Sequence, residues 1–390
     1  MARVLNKSHP KEPTSAAEMA ARLILHAGTH KTASTYIQDR LFLNRRQLSN
    51  QGFVYDYPAG TKTFKLLARD LCKGNWQSIQ QHIASHKNKG KNLLISAEQL
   101  AVPLNNPKTL RTLRKLARRE GFELEVLIFI RTQLDYINSR YAYSLRRFYH
   151  SQTFDEFLEA AITGRLPGES LKRGRIQKRD HLFDFWSYFQ PLLQARRKGL
   201  PLTFIPFRQG NRDPFDQLLE AIGVPSNLAW TPASQRSHNR SPGIRGVWLS
   251  RLVSRRLQDQ GISHHSIEGS SKIILKEETW RGWHDAAFWG FNRRLARSTH
   301  AHFRAHNQRF AKEVWGCRWD KMFPQDQQLL ERKRCTFRPS SLKEELKMHA
   351  IADHLVRMID HRCHPQPWHL FSDNAEKLLS KLHPTLISTH

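Results

Sequence analysis

The sequence predicts an α/β protein with a mainly parallel central sheet. Short apolar runs alternate with segments of helical periodicity over the first 222 residues, which is typical of βαβ units. The strongest apolar run, 126–130, is followed at once by Arg131 and predicts a fully buried strand. Beyond Ser241 the apolar pattern becomes helical throughout, so we expect no further strand of the sheet in that part of the chain.

The individual elements follow from these patterns in order. Apolar runs too short for a buried helix predict strands at 23–26, 93–95, 125–130 and 201–207. Apolar residues at intervals of three and four predict helices at 36–48, 108–120, 133–147, 154–163, 179–198 and 214–222. A stretch rich in glycine and threonine, 27–35, joins the first strand to the first helix.

Three regions are expected along the chain. Residues 1–20 are polar, carry two prolines and predict a flexible tail. The alternating elements place the main domain at 21–325. Residues 326–390 predict a helical C-terminal extension, with an amphipathic helix over 342–359 and a short helix near 374–382.

The formal net charge is +29, from 63 Lys and Arg against 34 Asp and Glu. Such an excess predicts an anionic partner, such as a nucleotide, an acidic polysaccharide, an anionic lipid or a nucleic acid. The positive charge is spread through sequence that looks folded rather than concentrated in one arm, which disfavours nucleic acid.

No membrane span or leader is predicted. No apolar stretch approaches the roughly 20 residues that a spanning helix needs, and the nearest, 16–28, is interrupted by Glu18 and Arg22. That stretch also lacks the basic start and the small-residue cleavage site of a secretory signal. Four cysteines in 390 residues are too few for a disulfide scaffold, so we expect a cytoplasmic protein.

The stretch between the first strand and the first helix has the composition of an anion-binding loop. A strand that turns into a helix directs several backbone N–H groups and the helix N-terminus at one spot, which favours a phosphate. Lys31 adds a positive charge, and Thr32, Ser34 and Thr35 add hydroxyl donors. A triphosphate loop would read GxxxxGK[ST], but His30 occupies the position of the glycine before the lysine.

The end of the strongest strand predicts a second phosphate position. In triphosphate hydrolases an acidic residue at such a strand end commonly helps to hold Mg²⁺, whereas this strand ends at Arg131. An arginine there suits a phosphate and requires no metal. Ser139 lies eight residues further on, in the next predicted helix, where its hydroxyl could reach the same phosphate. One phosphate at the loop and another here describe a nucleotide that is phosphorylated at two separate places.

These two features resemble those of the sulfotransferases that use 3′-phosphoadenosine-5′-phosphosulfate (PAPS), and in particular the bacterial group with HxGxxKTGST-like loops. The resemblance extends in layout over about 21–325 and implies a P-loop NTPase-like three-layer sandwich. The family's first loop binds the 5′-phosphosulfate and its R-x₇-S pattern binds the 3′-phosphate. The resemblance therefore implies that the nucleotide is bound by His30, Lys31, Thr32, Ala33, Ser34, Thr35, Arg131 and Ser139.

One residue departs from the family pattern. Ala33 stands where the family usually has glycine. If the backbone at this position needs a positive φ, alanine adds strain and loosens the loop.

The resemblance also implies roles in the chemistry, with no metal. Lys31 is the candidate for stabilising the charge that builds on the leaving phosphate oxygen. Family members take the proton of the acceptor hydroxyl with a histidine or a glutamate, often just after the strand that follows the first loop. Glu98 holds that position and is the first choice for the base, with His30 and His26 as alternatives. We expect the acceptor to be a carbohydrate or a polysaccharide.

Two other functions stay open. A P-loop nucleotide kinase or triphosphatase is disfavoured by His30 before Lys31 and by Arg131 in place of a strand-end aspartate. A basic nucleic-acid-binding protein would account for the charge alone. Histidines at 302 and 306 and at 361 and 364 have spacings that can ligate zinc, but no CxxC pair accompanies them, and we expect no metal site.

Overall fold

The protein is built around a five-stranded parallel sheet. The computed structural model describes residues 20–87, 89–166, 178–179, 181–207, 212–233 and 241–361. The sheet has the order β2-β3-β1-β4-β7, and all its pairings are parallel. A separate antiparallel pair joins β5 to β6. The strands are β1 (Ala21–Gly28), β2 (Phe53–Val54), β3 (Asn92–Ser96), β4 (Phe122–Ile130), β5 (Arg165–Leu166), β6 (Lys178–Arg179) and β7 (Leu202–Pro206).

Helices occupy most of the remaining described sequence. They are α1 (Ser34–Leu43), α2 (Arg45–Asn50), α3 (Lys65–Cys72), α4 (Gln77–Ala84), α5 (Ala101–Leu104), α6 (Pro107–Arg119), α7 (Gln133–Arg146), α8 (Phe154–Thr163), α9 (Phe185–Tyr188), α10 (Gln190–Arg197), α11 (Pro214–Ile222), α12 (Ile244–Asp259), α13 (His264–Glu268), α14 (Ile273–Trp280), α15 (Arg293–Trp315), α16 (Trp319–Met322), α17 (Asp326–Glu331) and α18 (Leu342–Asp360). A 3₁₀ helix spans Glu98–Leu100.

The predicted α/β class and its parallel sheet are confirmed. The four predicted strands coincide with β1, β3, β4 and β7, and β1 pairs with β4 from Ala21 opposite Phe122 to Gly28 opposite Phe129. From Leu23 to Gly28, β1 is buried. Strands covered on both faces need apolar residues at successive positions rather than alternate ones, which is why they stand out in the sequence.

Two predicted helices differ from the structure. The single helix predicted at 36–48 is wrong, because α1 ends before Asn44 and α2 begins after it. The Asn44 side chain accepts a hydrogen bond from the Thr231 N–H at 2.7 Å and donates to the Thr231 carbonyl at 2.9 Å, which fixes the break. The helix predicted at 179–198 begins only at Phe185 and is divided into α9 and α10.

The chain forms two compact units. The first comprises Met1–Arg131, Trp186–His238 and Phe310–Phe323, and it contains the five-stranded sheet. The second comprises Thr132–Phe185, Asn239–Arg309 and Pro324–His390. The predicted main domain, 21–325, therefore contributes to both units.

The second unit is largely helical where it is described. Its core contains α12 packed against α18, with Leu249 and Val253 in the same buried cluster as Ile351 and Leu355. Helix α18 confirms the amphipathic helix predicted at 342–359, and the Ser341 side chain accepts a hydrogen bond from the Glu344 N–H at its start. The tail predicted at 1–20 lies, apart from residue 20, outside the described residues, as does the helix predicted near 374–382. No helix in the described part of the chain is long and apolar enough to cross a membrane.

Candidate functional site at the carboxyl ends of the central strands

Strands β1 and β4 form a topological switch point at the middle of the sheet. They are hydrogen-bonded neighbours in the sheet. The chain continues from β1 to β2, on one side of this pair, and from β4 to the sheet strand β7, on the other side. In open α/β sheets the ligand crevice lies outside the carboxyl ends of the two strands at such a point. The β1–α1 loop (29–33) and Arg131 follow β1 and β4 directly, so the sequence-predicted anion loop and arginine are at this position.

Side-chain hydrogen bonds from its two threonines hold the β1–α1 loop in place. The buried Thr29 hydroxyl donates to the Phe129 carbonyl of β4 at 3.1 Å, and the buried Thr32 hydroxyl donates to the Thr29 carbonyl at 2.7 Å. A Cβ at Gly28 would lie 3.3 Å from the Thr32 hydroxyl oxygen, so a side chain there would crowd this packing. The Thr32 hydroxyl was predicted to donate to a phosphate, but it donates to the Thr29 carbonyl within the loop. Thr32 can therefore contribute to anion binding through its backbone N–H.

The loop turns into α1 through two residues with left-handed backbone. Lys31 has φ 70° and Ala33 has φ 58°, a region that favours glycine. Helix α1 begins immediately afterwards at Ser34, has no side-chain hydrogen bond at its N-cap and no acidic residue in its first turn. The N–H groups of the first turn and the positive end of the helix dipole therefore favour an anion at this point.

The left-handed backbone at Ala33 leads to a stability prediction. Replacing Ala33 by glycine removes the clash of the Cβ in this region, and we expect the free energy of unfolding to rise by roughly 0.5–1 kcal/mol, measured by urea denaturation. Ala97, at the carboxyl end of β3, has an extended backbone with φ −151°, so the matched change Ala97→Gly should lower the stability instead. A loss of stability in both variants would contradict strain at Ala33.

The Glu98 carboxylate lies beside the loop and connects three of its neighbours. The Ser34 hydroxyl donates to Glu98 Oε2 at 2.6 Å, and the Gln99 amide donates to Oε1 at 3.2 Å. His30 Nδ1 lies 3.2 Å from the same Oε1. The His30 and Glu98 side chains are each about one-fifth exposed. The structure thus brings together three residues that the sequence analysis selected separately: His30, Ser34 and Glu98.

His26, the third candidate for the base, is enclosed in the sheet. It is completely buried, and its Nδ1 lies 2.7 Å from the Ser96 hydroxyl oxygen of β3. Burial lowers the pKa of His26 to about 4, and the nearby Glu98 carboxylate opposes this shift only in part. A side chain without access to solvent cannot reach an acceptor hydroxyl, so this arrangement argues against His26 as the base.

Arg131 faces the loop from the end of β4. Its Nη1 donates to the Lys31 carbonyl at 2.7 Å, and its guanidinium lies 5.6 Å from the centre of the Phe207 ring. Phe207 follows β7 and is held in place by a hydrogen bond from its N–H to the Ile130 carbonyl at 2.7 Å. Arg131 therefore contacts both the β1–α1 loop and the residue that follows β7, and it is partly exposed.

The remaining predicted residues take different places. Thr35 lies half-buried in the first turn of α1. Ser139 lies half-buried in α7, which belongs to the second compact unit, whereas Arg131 is the last residue of the first segment of the first unit. Joint binding of one phosphate by Arg131 and Ser139 stays a prediction.

Sequence reasoning missed three residues that shape this site, which are Thr29, Gln99 and Phe207. Thr29 and Gln99 stand next to predicted site residues, but nothing in the sequence shows where their side chains point. Phe207 is distant in sequence and reaches the site because β7 pairs with β4. No single segment of the sequence determines the order of the parallel strands, so the contact of Phe207 with Arg131 could not be predicted locally.

In the described ranges, no group of three or more His, Cys, Asp and Glu side chains is arranged to hold a metal ion. His306, one of the two histidines at zinc-compatible spacing, instead lies with its Nδ1 2.7 Å from a carboxylate oxygen of Asp184. The pair His361 and His364 lies partly outside the described residues.

Comparison of the chain with protein-family models and with curated proteins finds no match. Membership of the sulfotransferase family therefore stays a prediction from the motif residues.

Proposed function

We propose that the protein transfers a sulfuryl group from PAPS to a hydroxyl group, using a P-loop-like site between the β1–α1 loop, Glu98 and Arg131. The observation that supports this most is the position of two features of the predicted nucleotide site. The loop that carries Lys31 follows β1, and Arg131 follows β4, the adjacent strand at the switch point. A hydrogen bond from Arg131 Nη1 to the Lys31 carbonyl joins the two.

The loop is suited to the 5′ end of the nucleotide. The uncapped N-terminus of α1 offers backbone N–H groups, and Lys31 adds a cation two residues before the N-cap. In the proposed reaction the bond between sulfur and the 5′-phosphate oxygen breaks, and negative charge develops on that oxygen. Lys31 would stabilise this charge, which is the kind of interaction that lowers a barrier because it strengthens in the transition state.

Arg131 would bind the 3′-phosphate. An arginine offers several N–H donors in a planar fork that matches the oxygens of a phosphate, and in this protein Nη1 also donates to the Lys31 carbonyl of the loop. The acceptor hydroxyl would bind next to His30 and Glu98, and one of these two side chains would take the proton of the hydroxyl. The net charge of +29 favours an anionic acceptor, such as an acidic polysaccharide.

Nucleotide selectivity tests this proposal against the kinase and triphosphatase alternative. We expect adenosine 3′,5′-bisphosphate to raise the melting temperature of the protein in the presence of EDTA, because ligand binding to the folded state stabilises it. ATP with Mg²⁺ should give a smaller rise at the same concentration. A larger, Mg²⁺-dependent rise with ATP would contradict the proposal and favour a triphosphate site. A response to DNA or RNA alone, lost steeply with salt, would favour a nucleic-acid-binding protein.

A further inference from the structure

The carboxylate of Glu98 is largely occupied by its own neighbours. Oε2 accepts from Ser34, Oε1 accepts from Gln99, and His30 Nδ1 lies within hydrogen-bonding distance of Oε1. An ionised carboxylate has about four lone-pair positions, of which the hydrogen bonds from Ser34 and Gln99 engage two, and His30 Nδ1 lies close to Oε1 as well. A group held in this way is better suited to orienting a neighbour than to taking a proton from an incoming hydroxyl.

The imidazole of His30 has the complementary arrangement. The nitrogen next to Glu98 is Nδ1, and Nε2 makes no hydrogen bond to any residue in the described ranges. The proton position in a neutral imidazole is set by the hydrogen bond that one nitrogen makes. A carboxylate 3.2 Å from Nδ1 favours a proton on that nitrogen, which leaves the Nε2 lone pair available as a base, as in serine hydrolase triads.

His30 belongs to the same loop as Lys31, the residue proposed to stabilise the leaving group. His30 immediately precedes Lys31, and the loop that carries both is held by the hydrogen bonds of Thr29 and Thr32 and by the contact of Arg131 with the Lys31 carbonyl. Its side chain is about one-fifth exposed, so a solvent-side ligand can approach it, in contrast to the enclosed His26.

We propose that His30 is the general base of the reaction and that Glu98 is a positioning residue that fixes the His30 ring. This inference deepens the proposed function and depends on it. The acceptor O–H bond breaks, and its proton passes to His30 Nε2. The acceptor oxygen forms a bond to sulfur while the bond from sulfur to the 5′-phosphate oxygen breaks, and the electron pair of that bond remains on the phosphate. Glu98 stabilises the imidazolium that results.

The orientation of the ring can be tested without any enzymatic activity. We expect ¹⁵N NMR of the histidine-labelled protein, at a pH at which the ring is neutral, to show the proton of His30 on Nδ1. The signal is assigned by its absence from His30→Gln. Glu98→Ala should abolish the Nδ1 preference, and Glu123→Ala, which removes a carboxylate elsewhere in the first unit, should preserve it. A His30 proton on Nε2 in the wild-type protein would overturn the inference, whether or not the protein is a sulfotransferase.

The pH dependence of turnover separates the two roles. His30→Gln should lower kcat by about 10²–10⁴-fold and remove the acidic limb of the pH–rate profile. Glu98→Ala should lower kcat but keep an acidic limb, because the imidazole remains. Positive charge near this loop comes from Lys31, the next residue in the chain, and from Arg131, which donates to the Lys31 carbonyl. A limb due to the buried His26 would persist in both variants.

The opposite pattern, with the limb lost in Glu98→Ala and retained in His30→Gln, would overturn the inference and make Glu98 the base. Both variants should lose kcat by a larger factor than adenosine 3′,5′-bisphosphate affinity, measured by calorimetry, because a proton acceptor acts mainly in the transition state, whereas His30 also belongs to the predicted nucleotide loop. Wild-type protein that binds this nucleotide but transfers no sulfuryl group to any acceptor would count against the proposed function, and the NMR result would still decide the orientation of His30.

Discussion

Replacing Lys31 by alanine should lower kcat for sulfuryl transfer by about 10²–10³-fold, the usual effect of removing one donor that stabilises developing charge. The affinity for adenosine 3′,5′-bisphosphate should fall much less, since this product already carries its full charge and the proposed interaction strengthens mainly in the transition state. Alanine is the better substitution than glycine, because it retains a Cβ at a position with φ 70° and so leaves the backbone strain unchanged.

The matched control is Lys108→Ala, which removes the same charge from an exposed position in α6. Turnover in that variant should equal that of the wild type. Normal turnover in Lys31→Ala, measured by transfer of labelled sulfate, would remove Lys31 from the mechanism. Parallel losses of kcat and product affinity would reassign it to ground-state binding.

Replacing Arg131 by alanine should weaken adenosine 3′,5′-bisphosphate binding by about 2–5 kcal/mol, the range for loss of one partner from a hydrogen-bonded charge pair. The variant also loses the hydrogen bond from Arg131 to the Lys31 carbonyl, and this hydrogen bond supports the loop. Adenosine 5′-phosphate separates the two effects, because it lacks the 3′-phosphate but uses the same loop. Its affinity should fall much less.

Arg111→Ala removes an arginine from an exposed position in α6 and should change neither affinity. Calorimetric titration of both nucleotides against both variants gives the comparison. Equal losses for the two nucleotides in Arg131→Ala would mean that Arg131 acts through the Lys31 carbonyl, and the assignment of the 3′-phosphate to this residue would fail.

Local signals in the sequence predicted the strands of the sheet well. The central strands are buried on both faces, so their apolar residues are consecutive, and the runs at 93–95 and 126–130 mark β3 and β4 within a few residues. Helices bounded by clear signals were also placed correctly, as at α8, where Thr153 and Glu156 form a capping box. The two-residue strand β2 is too short to give any pattern.

Long-range contacts could not be predicted in the same way. The break at Asn44 depends on a pair of hydrogen bonds with Thr231, 187 residues away in the chain, and α1 and α2 therefore looked continuous. The division of the chain into two units, with the boundary directly after Arg131, likewise depends on which segments pack together and not on composition.

The contacts within the candidate site could not be predicted from the sequence. Glu98 after β3 and Arg131 after β4 both follow predicted strand ends, and the choice of Glu98 also depended on the resemblance to the sulfotransferases. That Ser34 and Thr32 would use their hydroxyls on Glu98 and Thr29 could not be foreseen, because side-chain direction in a loop depends on backbone angles such as the positive φ of Lys31 and Ala33.

Transfer of radioactive sulfur from ³⁵S-labelled PAPS is the most direct test of the central claim. The purified protein is incubated with the label and a panel of hydroxyl acceptors that includes acidic polysaccharides, with EDTA present, and Lys31→Ala is run in parallel. We expect label to appear in an acceptor, together with an equal amount of adenosine 3′,5′-bisphosphate, and expect almost none with the variant. Absence of labelled product from every acceptor, with transfer of the γ-phosphate of ATP in the presence of Mg²⁺, would contradict the account.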